Sequence, residues 1–213
     1  MNKKLFTVEN IPPLAVLLSF FFGLYFYSYL PDQMVSHWGI SGEANGYLPK
    51  FPGTFIFPVI LLAMYILFLI IPKIDPKKDN IQKFHHEFQK FMAVFFAFMF
   101  YLYFLVIIWN LGSQFSIVRW MIPGFVVLFY YMGDLTEKAK PNWSIGIRTP
   151  WTLSDDAVWK KTHEVGGKLF KWTALISLLG FFFPAYALWI ILVPVVFSAL
   201  YSVVYSYLVY KKK

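Results

Sequence analysis

The stretch WTALISLLGFFFPAYALWIILVPVVFSALYSVVYSYLVY, residues 172–210, runs for 39 residues without one charged side chain. As a single helix it would extend about 58 Å, nearly twice the ~30 Å hydrocarbon thickness of a bilayer. The segment must therefore fold back on itself. FFFPAY, residues 181–186, is the place for it, because proline lacks the N–H that a continuing helix needs. The block becomes two membrane spans, about 168–183 and 188–210.

The same reading extends upstream. Apolar runs long enough to cross a bilayer cover about 11–30, 54–72, 88–109 and 117–133. Composition agrees: 59% of the 213 residues are hydrophobic and only 14% charged, against about a quarter charged in a soluble domain. The expected fold is all-α and polytopic, with six transmembrane helices. The first run follows a short basic start, MNKK, and no small-residue cleavage site follows it, so it is expected to stay as an uncleaved helix.

Lysine and arginine set the expected orientation. All but Lys50 and Arg119 fall at one membrane face, which the positive-inside rule assigns to the cytoplasm together with both termini. Trp38, Trp109, Trp120 and Trp189 then fall at the outer boundary, and Trp143, Trp151, Trp159 and Trp172 at the inner one. The formal net charge of +8 is thus spread over several loops as membrane anchoring. No nucleic-acid recognition module accompanies it, and the expected partners include membrane lipids but no nucleic acid. The spans carry almost no ionisable residue, which argues against a charge-coupled transporter. A path for an apolar or lipid-like substrate stays open.

Zero cysteines remove disulfides, thiolate metal sites and cysteine nucleophiles. His163–Glu164 opens like the H-E-x-x-H zinc motif, but Gly167 stands where the second histidine belongs. His85 and His86 point about 100° apart on a helix and make no chelate by themselves. No metal, cofactor or catalytic residue is expected.

Two polar islands remain. The outer one, residues 30–53, is a turn-rich loop in which His37 and Trp38 form either a ligand contact or an ordinary boundary pair. In the inner one, 142–152 is too rich in turn formers for helix. Ser154 then caps a short interfacial helix with Asp155 and Asp156 in its first turn, and Gly166–Gly167 ends it. Arg148 stands in GIRTPW without a neighbouring lysine. Asp134, Glu137, a lipid headgroup or a cytoplasmic protein are its candidate partners, with generic anchoring as the alternative.

The run N-x-x-I-G-I-R-T-P-W-T-L from Asn142 to Leu153, followed by Val158–Trp159, resembles the signature of the SdpI family of bacterial immunity proteins. Pro31, His37–Trp38, Gly42 and Lys50 resemble a membrane domain of unknown function that often precedes it. The resemblance implies two units, 1–72 and 73–213, in a multi-pass protein of the bacterial plasma membrane. It implies resistance to a secreted, membrane-active toxic peptide met at the outer face. It also implies signalling by holding a small repressor at the cytoplasmic face. The residues it brings forward are His37, Trp38, Asn142, Gly146, Arg148, Thr149, Pro150, Trp151, Thr152 and Trp159. Where family members often carry Gly-Asn, this chain has Gly133–Asp134, a charge expected near Arg148. A lipid- or peptide-handling transporter or enzyme of the envelope is the alternative.

Overall fold

A computed structural model describes residues 7–39 and 42–212; Lys3, Lys4 and Lys213, expected to anchor the termini, lie outside the described residues. Helix α1 (Ile11–Phe26) is lengthened by one 3-10 turn at each end, Val8–Asn10 and Tyr27–Tyr29. Strands β1 (Gln33–Trp38) and β2 (Ala44–Pro49) follow, then α2 (Lys50–Ile74), α3 (Lys78–Gln82) and α4 (His85–Asn110). Next come α5 (Ile117–Lys138), α6 (Pro150–Ser154), α7 (Asp156–Ser177), α8 (Leu179–Phe182) and α9 (Ala187–Lys211).

Among the described residues, five helical stretches are long and apolar enough to cross a membrane: 8–29, 50–74, 85–110, 156–182 and 184–211. Helix α5 is the candidate sixth. It is more polar, with Arg119, Asp134, Glu137 and Lys138 near its ends, and it packs between α4 and α7. Side chains such as Val59, Ile66 and Leu67 on α2, and Leu200 and Val204 on α9, stand exposed on the outside. In a bilayer these face hydrocarbon, which every helix can meet because its backbone bonds are internal. The chain is a multi-pass membrane protein.

The main core joins α1, α2, α4, α5 and α7 through Leu61, Phe84, Phe88, Phe96, Leu135 and Trp159. Phe68 stacks on Phe88 and Phe95 at ring separations of 6.0 and 5.4 Å. A smaller cluster of Leu30, Met34, Tyr103 and Ile107 supports the hairpin at the opposite end.

The turn at 181–186 is where the sequence puts it: α8 stops at Phe182, a 3-10 turn spans Pro184–Tyr186, and α9 begins. Three local expectations are corrected. The outer island is an antiparallel hairpin rather than an irregular loop. Its composition hides the strands, and what pins them is the Asn110 side chain at the end of α4. That amide accepts from Val35 N–H at 2.8 Å and donates to Val35 C=O at 3.0 Å, acting as one residue of a third strand.

Second, α6 occupies part of the expected non-helical run, with Thr149 as its N-cap in a reciprocal capping pair with Thr152. Asp155, not Ser154, caps the next helix, accepting from the N–H groups of Ala157 and Val158; the Ser154 hydroxyl instead bonds back to the Pro150 carbonyl. The short helix of the fourth loop is therefore 150–154.

Third, Gly166 and Gly167 do not end a helix. Helix α7 runs straight through them into the membrane span, and neither takes a positive φ. Gly167 instead lets α7 cross α5 at Gly133, where a Cβ on either residue would stand 2.6 Å from the other's carbonyl oxygen. This is the close backbone approach that small residues allow between membrane helices. Gly166 faces Ile147 and Ser202 in the same way.

Candidate functional site

Residues 139–149 leave α5 and reach α6 as bends without regular structure, held by side chains that act on the backbone. Asn142, fully buried, is the first. Its Oδ1 accepts from Ser144 and Ile145 N–H at 2.8 and 2.6 Å, and its Nδ2 donates to Lys140 and Ile145 carbonyls, both at 2.8 Å. Every hydrogen-bonding position of one amide thus serves a turn.

Asp75, directly after α2, is the second. Its Oδ2 accepts from Trp143 N–H at 3.0 Å and Ser144 Oγ at 2.5 Å, and its Oδ1 from Lys77 N–H at 2.7 Å. Asn80 on α3 adds a bond to the Pro141 carbonyl at 2.8 Å. A buried carboxylate is stable only with such donors around it.

His163 is the third. Its Nε2 accepts from Ile147 N–H at 3.0 Å and its Nδ1 bonds to the Trp159 carbonyl at 2.8 Å, so the ring is the Nδ1–H tautomer. The imidazole stacks on the Trp159 indole, 4.0 Å between centroids and 15° from parallel. The histidine of the broken zinc motif is a clamp. It also accounts for Gly146, which has φ +117° and would drive a Cβ into the His163 ring.

Trp159 is not a membrane-boundary residue. It is 1% exposed, lies in the main core, and donates Nε1–H to the Ala139 carbonyl at 2.9 Å. Thr152 Oγ1 donates to the Ile147 carbonyl at 2.8 Å, and Thr149 Oγ1 lies 2.9 Å from Ser206 Oγ on α9. Trp151 packs on Tyr207 at 5.1 Å. Helix α9 presents Ser198, Ser202 and Ser206 toward α7, and Ser198 meets Thr173 at 3.0 Å.

Arg148 faces outward. One of its guanidinium nitrogens donates to the Trp143 carbonyl at 2.7 Å, and both residues are exposed. Of its candidate partners, Asp134 and Glu137 are both taken by Lys171, Glu137 at 2.7 Å and Asp134 at 3.7 Å. The signature therefore divides into a scaffold (Asn142, Gly146, Thr149, Pro150, Thr152 and Trp159) and a presented face (Trp143 and Arg148). Asp75, His163 and Ser206 complete the scaffold, and sequence reasoning passed over them. An aspartate placed directly before a proline in a lysine-rich linker, and a histidine four residues after a signature tryptophan, are the available signals.

His37 and Trp38 lie at the other end of the bundle. The hairpin pairs His37 with Gly46 and Trp38 with Ala44, with irregular register on both sides of His37. Trp38 meets Trp109 edge to face at 5.5 Å. Beneath them lies a cavity of about 1100 Å³. Its hairpin wall carries Ser36, His37, Glu43 and Asn45, and its helical walls are apolar, among them Val106, Met121, Phe125 and Leu188.

Residues 138–206 match the model of the SdpI/YfhL protein family, and residues 14–62 match a domain of unknown function, DUF1648. Over 201 residues the chain is 28% identical to Immunity protein SdpI of Bacillus subtilis (strain 168), covering 93% of this chain and 94% of that protein. No solved structure matches.

Proposed function

We propose that this chain, whose residues 138–206 match the model of the SdpI/YfhL protein family, is an immunity protein of a bacterial membrane, protecting its host from a membrane-active toxic peptide. The observation that carries the reading is end-to-end similarity to Immunity protein SdpI, over nine-tenths of both chains. The geometry supports docking over catalysis. The polar groups of the signature loop are spent on folding it, and what they present outward is a tryptophan and an arginine. A guanidinium with one nitrogen fixed to a carbonyl keeps its remaining donors for a carboxylate or phosphate.

In the finer form of the proposal, the hairpin end meets the peptide, and the Trp143–Arg148 face meets a small cytoplasmic repressor. The cavity favours one second reading, the handling of an apolar envelope molecule. The test is survival: a sensitive bacterium expressing the chain should tolerate a toxic peptide that kills the vector control. Equal killing across a panel of such peptides contradicts it.

A further inference from the structure

The hairpin wall of the cavity carries two acceptors, the His37 imidazole and the Glu43 carboxylate, beside the buried and unpartnered Trp38 Nε1–H. His37 Nδ1 lies 2.6 Å from Asn45 Oδ1. An amide oxygen only accepts, so Nδ1 carries the proton and Nε2 keeps its lone pair. The Glu43 carboxylate folds back over Gly39, where Asn45 Nδ2 also converges; a Cβ on Gly39 would collide with both. Among the described residues Glu43 makes no ion pair. The two basic residues at this end are engaged elsewhere: Lys50 lies over the Tyr27 ring at 5.1 Å and Arg119 over the Phe181 ring at 5.7 Å.

We propose that this cavity binds an apolar peptide segment carrying one ammonium group, a lysine side chain or a free N-terminus, held by the Glu43 carboxylate and His37 Nε2. An ammonium is a compact cation with three donors and no acceptor, the complement of the Glu43 carboxylate and His37 Nε2. The apolar body lies along Val106, Val118, Met121, Phe125 and Leu188. One observation favours peptide over phospholipid. A lipid phosphate at the mouth would meet Glu43 with no cation lining the cavity to offset the repulsion. The inference rests on the immunity reading and adds the chemistry by which the peptide is recognised.

The test uses the full chain in phosphatidylcholine vesicles, which have no net charge. The probe is a synthetic acetyl-Lys-Leu-Phe-Leu amide with a diazirine on one leucine; its twin carries acetylated lysine. After photolysis, labelled residues are mapped by mass spectrometry. The charged probe should label residues within 102–125 and 185–191 saturably, and the twin about tenfold less, as expected for loss of one charge-assisted bond. Glu43→Gln should erase the difference between the probes, Glu43→Asp should keep most of it, and Met121→Trp should block both. Equal labelling by both probes on the wild type, or labelling confined to the exposed faces of α2 and α9, overturns the proposal. The survival assay separates this from the function itself. Protection without selective labelling removes the ammonium site alone; selective labelling without protection leaves the site and removes the immunity reading.

Discussion

His163 Nε2 accepts the backbone N–H of Ile147 at 3.0 Å, joining the first half of α7 to the middle of the signature loop. The same ring stacks on Trp159, whose indole holds the Ala139 carbonyl at the end of α5. The stacked pair therefore registers the start and the middle of the segment against a single helix. His163→Ala leaves the Ile147 N–H without its acceptor, which costs about 1–3 kcal/mol. A lower melting temperature in detergent and faster proteolysis within 142–149, with helix content retained, are the expected results. Unchanged proteolysis would contradict the clamp.

Gly146 and Gly112 offer a controlled comparison. Both have positive φ, +117° and +102°, but only Gly146 has a side chain where a Cβ would go; around Gly112 there is open space. Each alanine substitution carries backbone strain of about 1–3 kcal/mol. Gly146→Ala adds the collision with His163 and should be the more destabilising of the two by thermal unfolding. Equal losses would mean that the ring moves aside at no cost.

At the α5–α7 crossing, Gly133→Ala and Gly167→Ala each force the helices apart, with overpacking of about 1–3 kcal/mol. One displacement relieves both collisions, so the double variant should lose less than the sum of the two. Additive losses in unfolding measurements would show that the two glycines do not share one contact.

Lys171 ranks its two acids by distance. Glu137 at 2.7 Å makes a charge-assisted hydrogen bond, whereas Asp134 at 3.7 Å does not. Glu137→Gln should therefore cost about 1–2 kcal/mol and Asp134→Asn less than about 1 kcal/mol. The reverse order in melting temperatures would contradict this geometry. It also follows that the Gly133–Asp134 departure from the family pattern has no direct bearing on Arg148.

What was legible in the sequence follows from how local each signal is. The spans and the turn at 181–186 could be read because hydrocarbon thickness and proline geometry act on contiguous residues. The hairpin could not, because its strands are secured by Asn110, far along the chain. Gly166–Gly167 misled because glycine serves both helix ends and helix crossings, and only the presence of Gly133 opposite distinguishes them. Arg148 reaches neither nearby acid because a carbonyl five residues away takes one of its nitrogens, a contact that no charge pattern signals. The signature drew attention to the right segment, yet gave no means of separating the residues that build it from those it presents.

The most direct test of the account is a survival assay on the wild type, Arg148→Ala and the vector control, at matched membrane levels and against a panel of membrane-active peptides. Arg148 is exposed and donates one loop hydrogen bond, so its replacement should cost no more than about 1 kcal/mol and leave the fold intact. Wild type should survive a peptide that kills the vector control. In the finer proposal, where the hairpin end meets the peptide, Arg148→Ala survives as well. Loss of protection in Arg148→Ala would place the signature face in immunity itself. Killing of the wild type at the same dose as the vector, for every peptide in the panel, would contradict the immunity reading.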